Sequence, residues 1–442
     1  MLLKKHPISS IAVLSALLFA QSALAADTLT DALTGGKASA NLQYRYEDVR
    51  NNNLPATGKN TATAHTVRLR LGYETATFNG FGAMVEAESV KDLGNKKYDS
   101  KATGQTGATA VNNYAVIADP EATEINQAYL SYSGIANTTV KFGRQRIILD
   151  NARFVGNVGW RQNEQTFDAF TLVNKSLPNT TITAGYITNA NRVFSDSSAT
   201  PDSGPFGGNH RMQSTILNAN YKGWSFAEVV GYAYLLDYDV NTLFTVNSSD
   251  TFGLRLNGNT AMGGNKLLYT AEFAEQRSAH GNATNYKTSY TLLEGGVDIT
   301  NIAVFKLGYE VLGSDTGAAN TQFKTPLATL HAFNGWADMF LATPASGLKD
   351  TYISANTKLA GINLGAVYHD YRADKTAGAA TASKLGDEWN LVVSKSFDKN
   401  YTLGLKYADY KAKGTATSAA AGDSFTGNVN TKKTWLWGEF KF

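Results

Sequence analysis

Residues 40–47 read ANLQYRYE and residues 67–74 read VRLRLGYE. In the first stretch Ala40, Leu42, Tyr44 and Tyr46 fall on one side of an extended chain, and Asn41, Gln43, Arg45 and Glu47 on the other. In the second, Val67, Leu69, Leu71 and Tyr73 oppose Arg68, Arg70 and Glu74. Successive side chains of a strand point to opposite faces, so each stretch predicts a strand with one apolar and one charged face. The pattern returns in Phe252, Leu254 and Leu256 against Arg255 and Asn257, and in Phe305, Leu307, Tyr309 and Val311 against Lys306 and Glu310. Two segments, Gln165 to Asn174 and Tyr290 to Ile299, alternate less cleanly, as a bulge that changes the phase would make them do.

Alternation by itself suits a soluble β-sandwich as well as a membrane barrel. Three features favour the barrel. The chain closes on Leu436, Gly438, Phe440 and Phe442 on one face and Trp437, Glu439 and Lys441 on the other. An amphipathic last strand ending in phenylalanine resembles the terminal signal of bacterial outer-membrane proteins, so Phe442 is expected to present this strand to the barrel-assembly machinery. Aromatic residues also gather toward strand ends, at Tyr44, Tyr46, Tyr73, Tyr132, Tyr186, Tyr309, Tyr368 and Tyr410, as in the aromatic girdles at the two membrane interfaces.

The third feature is the spacing of the connections. Short turns fall near 75–79, 134–137, 174–179, 222–223, 257–265, 300–301, 360–361 and 398–400, and longer segments lie between and outside them. Eight turns and nine loops predict an all-β, transmembrane antiparallel barrel of about 18 strands, an even number as bacterial barrels have. Both termini then lie with the short turns on the periplasmic side, and the long loops are extracellular. Closure removes the unpaired strand edges that lipid cannot satisfy.

The compartment follows from the first residues. Lys4 and Lys5 precede an apolar run from Ile8 to Phe19, and small residues end in Ala23-Leu24-Ala25. This reads as a signal peptide cleaved after Ala25, with a single barrel domain over 26–442 in the outer membrane of a Gram-negative cell. The run is too short for a spanning helix, and no other approaches 18 residues. Taking Lys4 and Lys5 from 40 Lys+Arg against 37 Asp+Glu leaves a chain close to neutral, which gives no reason to propose a nucleic-acid partner. The chain has no cysteine, so disulfides and thiol chemistry are absent.

A barrel of this size encloses more than side chains fill, so an aqueous lumen is expected, narrowed by an inward loop. The alternation turns Arg45, Arg68, Arg70, Lys141, Arg255, Lys306 and Lys406 inward with Glu47, Glu74, Glu86, Glu88, Glu124, Glu272 and Glu310. The densest cluster runs from Arg144 and Arg146 through Asp150, Arg153 and Arg161 to Asp168. Four arginines so close could bind carboxylate or phosphate bidentately as a selectivity filter. Equally, Asp150, Glu164 and Asp168 could pair with them to pin a folded loop. The two roles are compatible.

Two stretches carry a resemblance. GRQRIILDNARFVGNVGWRQNEQTFDA (143–169) and FKTPLATLHAFNGWADMFLATPASGLKDTYISA (323–355) are similar to the alginate-export family of outer-membrane barrels. The resemblance implies a monomeric 18-stranded barrel with an arginine-bearing pore, to which Arg144, Arg146, Arg153 and Arg161 contribute. Well-known members release a carboxylated polysaccharide. A conduit for a long polyanion calls for cationic excess, and the inward charges here balance. The expected function is therefore a porin for small polar or anionic solutes. Export of an anionic polysaccharide such as alginate and a non-conducting structural or adhesive barrel stand as alternatives. The second stretch, with His331, Asn334, Trp336 and Asp338, is expected in a long outward loop that packs on its tryptophan or closes over the pore.

No catalytic group, cofactor or metal site is nominated. After signal cleavage five histidines remain, His65, His210, His280, His331 and His369, and neither an H-E-x-x-H nor a G-x-S-x-G stretch occurs. Asp237 with Asp239, or Asp196 with Asp202, could meet calcium at the outer surface, but they lack an EF-hand frame, and solvated loop acids are the ordinary reading.

Overall fold

The computed structural model describes residues 26–52, 61–94, 96–102, 114–198, 206–239, 244–375, 383–413 and 429–442. The proposed signal peptide, Met1 to Ala25, lies outside the described residues. Eighteen strands follow one another: β1 (Lys37–Asn52), β2 (Thr61–Glu74), β3 (Phe81–Asp92), β4 (Ala122–Tyr132), β5 (Thr138–Gln145), β6 (Thr166–Asn174), β7 (Thr180–Asn191), β8 (Asn209–Tyr221) and β9 (Ala227–Leu236). The second half holds β10 (Ser249–Met262), β11 (Asn265–Ser278), β12 (Lys287–Ile299), β13 (Ala303–Leu312), β14 (Leu348–Leu359), β15 (Ile362–Arg372), β16 (Lys384–Phe397), β17 (Tyr401–Ala412) and β18 (Asn430–Lys441). Each pairs antiparallel with its neighbours in sequence, and β1 pairs with both β2 and β18, so the sheet closes into a barrel.

The connections alternate short and long all the way round. The turn expected near 257–265 narrows to Gly263-Gly264, because β10 runs on to Met262. Both glycines have positive φ, 52° and 86°, which is the left-handed geometry that a two-residue hairpin between right-twisted strands requires. Both described ends of the chain lie at the short-turn end. Ala26 donates its N–H to Thr77 O, and Phe442 donates to Ala40 O.

The outer face is apolar: Leu71, Leu130, Phe142, Leu254, Phe273, Leu307, Ile353 and Leu403 are all more than half exposed, which suits a wall solvated by lipid. Aromatic residues gather at the short-turn rim, with Phe81, Trp224, Phe226, Tyr401 and Phe442 exposed there. Tyr410 departs from the girdle expectation. It points inward, fully buried, and its ring packs against Phe340 and Tyr371.

The hydrophobic core sits inside the barrel. Phe154, from the 146–165 loop, lies 5.2 Å from the Tyr232 ring, 5.2 Å from Tyr290 and 5.9 Å from Phe323 of the 313–347 loop. These two loops fold inward and are covered by inward side chains near the long-loop end, among them Leu312, Tyr371, Tyr410 and Trp435. The two noisy segments are explained by this packing. In β12 the inward positions include buried Tyr290 and Leu292, with no bulge in its pairing with β11 or β13. In β6 the buried Phe167 points inward and Asp168 outward, and a register shift follows at Asp168/Ala169. An inner face that meets a packed loop is apolar there, so the polar-inside pattern fails locally.

Candidate functional site

The lumen is built from the barrel's inner face and the two inward loops, which zip together along their length. Gly156 N–H donates to Leu327 O at 2.9 Å, Thr329 N–H donates to Ala152 O at 3.0 Å, and Gln165 Nε2 donates to Leu327 O at 3.1 Å. Side chains extend the seam. Arg153 Nη2 donates to Asn334 Oδ1 at 3.0 Å, Arg161 meets Asp338 at 3.2 Å, and the Trp160 indole stacks on His331 at 4.8 Å. The two sequence stretches that carry the family resemblance are therefore the two halves of one inserted unit.

Arginines of the wall hold one side of this unit. Arg45 donates to Trp160 O and pairs with Asp119 at 3.5 Å. Arg68 donates to Arg161 O, to Gln162 O and, at 2.6 Å, to Asn41 Oδ1. Arg70 donates to Gln162 O and pairs with Glu88 and with Glu164, the latter at 3.4 Å. Three wall arginines thus bind three successive backbone carbonyls, a use of the guanidinium's fan of donors that leaves little for a passing solute.

Of the loop arginines, Arg146 pairs with Glu164 and, at 3.1 Å, with Glu86, and its side chain is 30% exposed to the lumen. Arg153 is buried against Glu310 at 2.8 Å, and Arg161 against Glu47 at 2.8 Å. Arg144 pairs bidentately with Asp168 at 2.8 and 3.2 Å. By register these two share the face of Phe142 and Phe170, which are 67% and 46% exposed. This corrects their expected place at the pore, because the alternation turns them to the outer side of the wall. Asp150 also departs from expectation. It accepts from Asn218 Nδ2 at 2.8 Å and, among the described residues, forms no salt bridge with an arginine.

Arg255, Lys306 and Lys141 lie on the inner face of their strands. Arg255 pairs with Glu272, Lys306 pairs with Glu294 at 2.9 Å, and Lys141 Nζ lies 3.2 Å from Tyr129 Oη. Inner residues nearer the short turns, such as Asn41, Glu74 and Lys358, keep solvent access, while Glu47, Glu310 and Glu388 near the long loops are buried. The lumen therefore opens as a vestibule toward the short-turn end and is packed toward the other.

Sequence reading missed Lys433, which meets Asp338 at 2.7 Å, and Asp119, Asp350 and Glu388, which receive the loops. Lys433 was accessible to it, since it extends the inner face of the last strand by two steps through Trp435. Asp119 lies in a long loop and carried no signal. The 313–347 loop, expected outward, folds inward and packs. His331 donates Nδ1–H to Asp338 at 2.6 Å and accepts at Nε2 from Lys406 Nζ at 2.8 Å, an arrangement that needs a neutral ring. Burial accordingly pushes the imidazole down to about 3. Against the cost of burial, His331, Lys433 and Arg161 hold Asp338 well below the usual carboxylate range. Of the outer-loop acids, Asp196 accepts from Asn209 at 2.5 Å and Asp237 lies 3.9 Å from His280; Asp202 lies outside the described residues.

A family model described as alginate export matches residues 37–310. No curated protein matches the chain by sequence. Among solved structures, Acinetobacter baumannii OccAB2 is similar with a TM-score of 0.69 at 13% identity, covering 93% of this chain and 99% of that one. Pseudomonas aeruginosa OpdK, solved with vanillate, gives a TM-score of 0.67 at 13% identity over 93% and 99%. Pseudomonas aeruginosa OccK9 gives 0.66 at 14% identity over 93% and 100%. At these identities the likeness speaks for the fold alone, a closed 18-stranded antiparallel barrel.

Proposed function

This chain belongs to the alginate-export family of outer-membrane barrels, and we propose that it is a monomeric channel passing small polar or anionic solutes through an arginine-bearing lumen. The observation that carries the reading is the state of the arginines. Arg146, Arg153 and Arg161 each have a carboxylate partner, and Arg45, Arg68 and Arg70 hold loop backbone. A sugar polyacid many residues long would need a continuous row of unpaired cations to slide along. A small solute needs only local contacts, and Arg146, Lys306 and Lys141, which keep lumen access, supply them.

In this reading the chain is exported with cleavage after Ala25, presents Phe442 to the assembly machinery of a Gram-negative cell, and sits in outer-membrane lipid with its long loops outside. The test is single-channel conductance of the refolded barrel in a planar bilayer, with reversal potentials in asymmetric salt and additions of small carboxylates, vanillate among them, or of alginate oligomers. Open channels blocked by small carboxylates, with Arg146→Ala weakening the block, are the expected result. Block by the oligomers alone would move the function to polysaccharide export, and a silent barrel to a structural role.

A further inference from the structure

Arg192 follows β7 directly, at the start of the 192–208 loop, and is only 7% exposed. Its Nη1 lies 2.9 Å from His210 Nδ1, and since a guanidinium can only donate, that histidine nitrogen accepts. Phe244 lies over the group, with its ring 3.9 Å from that of His210 and 5.9 Å from Arg192 Cζ. Tyr238 closes it, 5.2 Å from Phe244 and 6.1 Å from His210, ring to ring. Two hydrogen-bond donors in this cluster have no partner, Arg192 Nε and the Tyr238 hydroxyl, and both are buried. No carboxylate forms a salt bridge with Arg192 among the described residues.

The contrast with the lumen is direct. Arg153 and Arg161 are equally enclosed, and each has an acid; Arg68 has backbone carbonyls instead. A buried cation with neither is an uncompensated charge, and an unmade hydrogen bond at Nε adds to its cost. What completes such a group is negative, accepts from an N–H and an O–H together, and is small, because His210 and Tyr238 have no exposed surface through which a bulky organic acid could enter.

We propose that Arg192 and Tyr238 hold a small monovalent anion of the halide class, a counter-ion that joins the end of β7 to the residues just after β9 at the long-loop end of the barrel. A free inorganic anion and the carboxylate of a small organic acid share this chemistry, and the burial of His210 and Tyr238 separates them by size. The anion takes one hydrogen bond from Arg192 Nε and one from the Tyr238 hydroxyl, and its charge balances the guanidinium.

Crystals of the full-length barrel grown in sodium bromide test this by anomalous scattering. The expected result is a bromide peak between Arg192 Nε and the Tyr238 hydroxyl that formate weakens and the bulkier benzoate leaves unchanged. In solution, the unfolding temperature should rise with bromide at constant ionic strength. Tyr238→Phe should shift the midpoint of that titration about tenfold, the size of one hydrogen bond to a charged group, and Arg192→Met should abolish it. No bromide at this position, or bromide at exposed lysines only, overturns the proposal, and so does a titration that Tyr238→Phe leaves unchanged. The diffraction arm uses the unaltered chain, so it holds even where Arg192→Met fails to fold.

Discussion

Two walls of the barrel grip the same pair of inserted loops with opposite chemistry. From β1, β2 and β18, cations donate: Arg45, Arg68 and Arg70 to backbone carbonyls of residues 160–162, and Lys433 to Asp338. From β13, β14 and β16, carboxylates accept: Glu310 from Arg153 and Asn334, Asp350 from Asn334, and Glu388 from the N–H of Ala337. A lumen whose charges balance in number is thus largely divided by position, with Glu47 of β1 the exception, accepting from Arg161. Turning the inserted unit would carry Arg153 toward the wall arginines and Asp338 toward the carboxylates, setting like against like.

The largest effect should come from breaking the acidic grip. Arg153 and Glu310 have side chains only 3% and 5% exposed, so Glu310→Ala leaves a buried guanidinium without an anion, at a cost of about 3–5 kcal/mol. Heat-modifiable mobility on SDS gels would show this as a lowered unfolding midpoint, and single channels should open wider. Replacing both partners by methionine should recover much of the loss; a double variant as unstable as the single one would mean the pair holds the loops by more than charge.

Arg68→Met tests the basic grip. It removes hydrogen bonds to two loop carbonyls and to Asn41, and a loss of roughly 2 kcal/mol is expected, less than for Glu310 because no charge is stranded. An equal or greater loss would reverse the ranking of the two walls.

Acid should loosen the seam between the walls. Because the folded His331 titrates near 3, below its ordinary 6.5, the unfolded chain binds a proton between those values that the folded chain refuses. Stability contributed here is whole above about pH 6.5 and is lost as pH falls toward 3. His331→Gln should flatten the difference in unfolding midpoint between pH 7.5 and pH 4.5; an unchanged difference would place the acid sensitivity elsewhere.

Smallest of all should be Arg144→Ala. Arg144 and Asp168 are 29% and 33% exposed on the outer side of the wall, and such pairs contribute about 1 kcal/mol or less. Conductance and ion selectivity should not move. A changed selectivity would bring this arginine back to the pore.

Much of this was legible in the sequence, and for a definite reason. A strand's side chains alternate whatever surrounds them, so Arg45, Arg68, Arg70, Arg255 and Lys306 could be assigned to the inner face from neighbours one or two residues away. Turn and loop lengths are equally local, and their alternation yields the strand number and the side on which the termini lie. Tertiary structure alone decided the rest. Arg161 meets Asp338 across 177 residues and Arg153 meets Asn334 across 181, and no spacing rule links such positions. The faces of Tyr290 and Phe167 were obscured for the same reason: their polarity answers to a loop that arrives from elsewhere in the chain. Periodicity is a property of the strand and can be read along it, whereas the pairing of charges and the filling of the lumen depend on distances through space, which exist only once the barrel has closed.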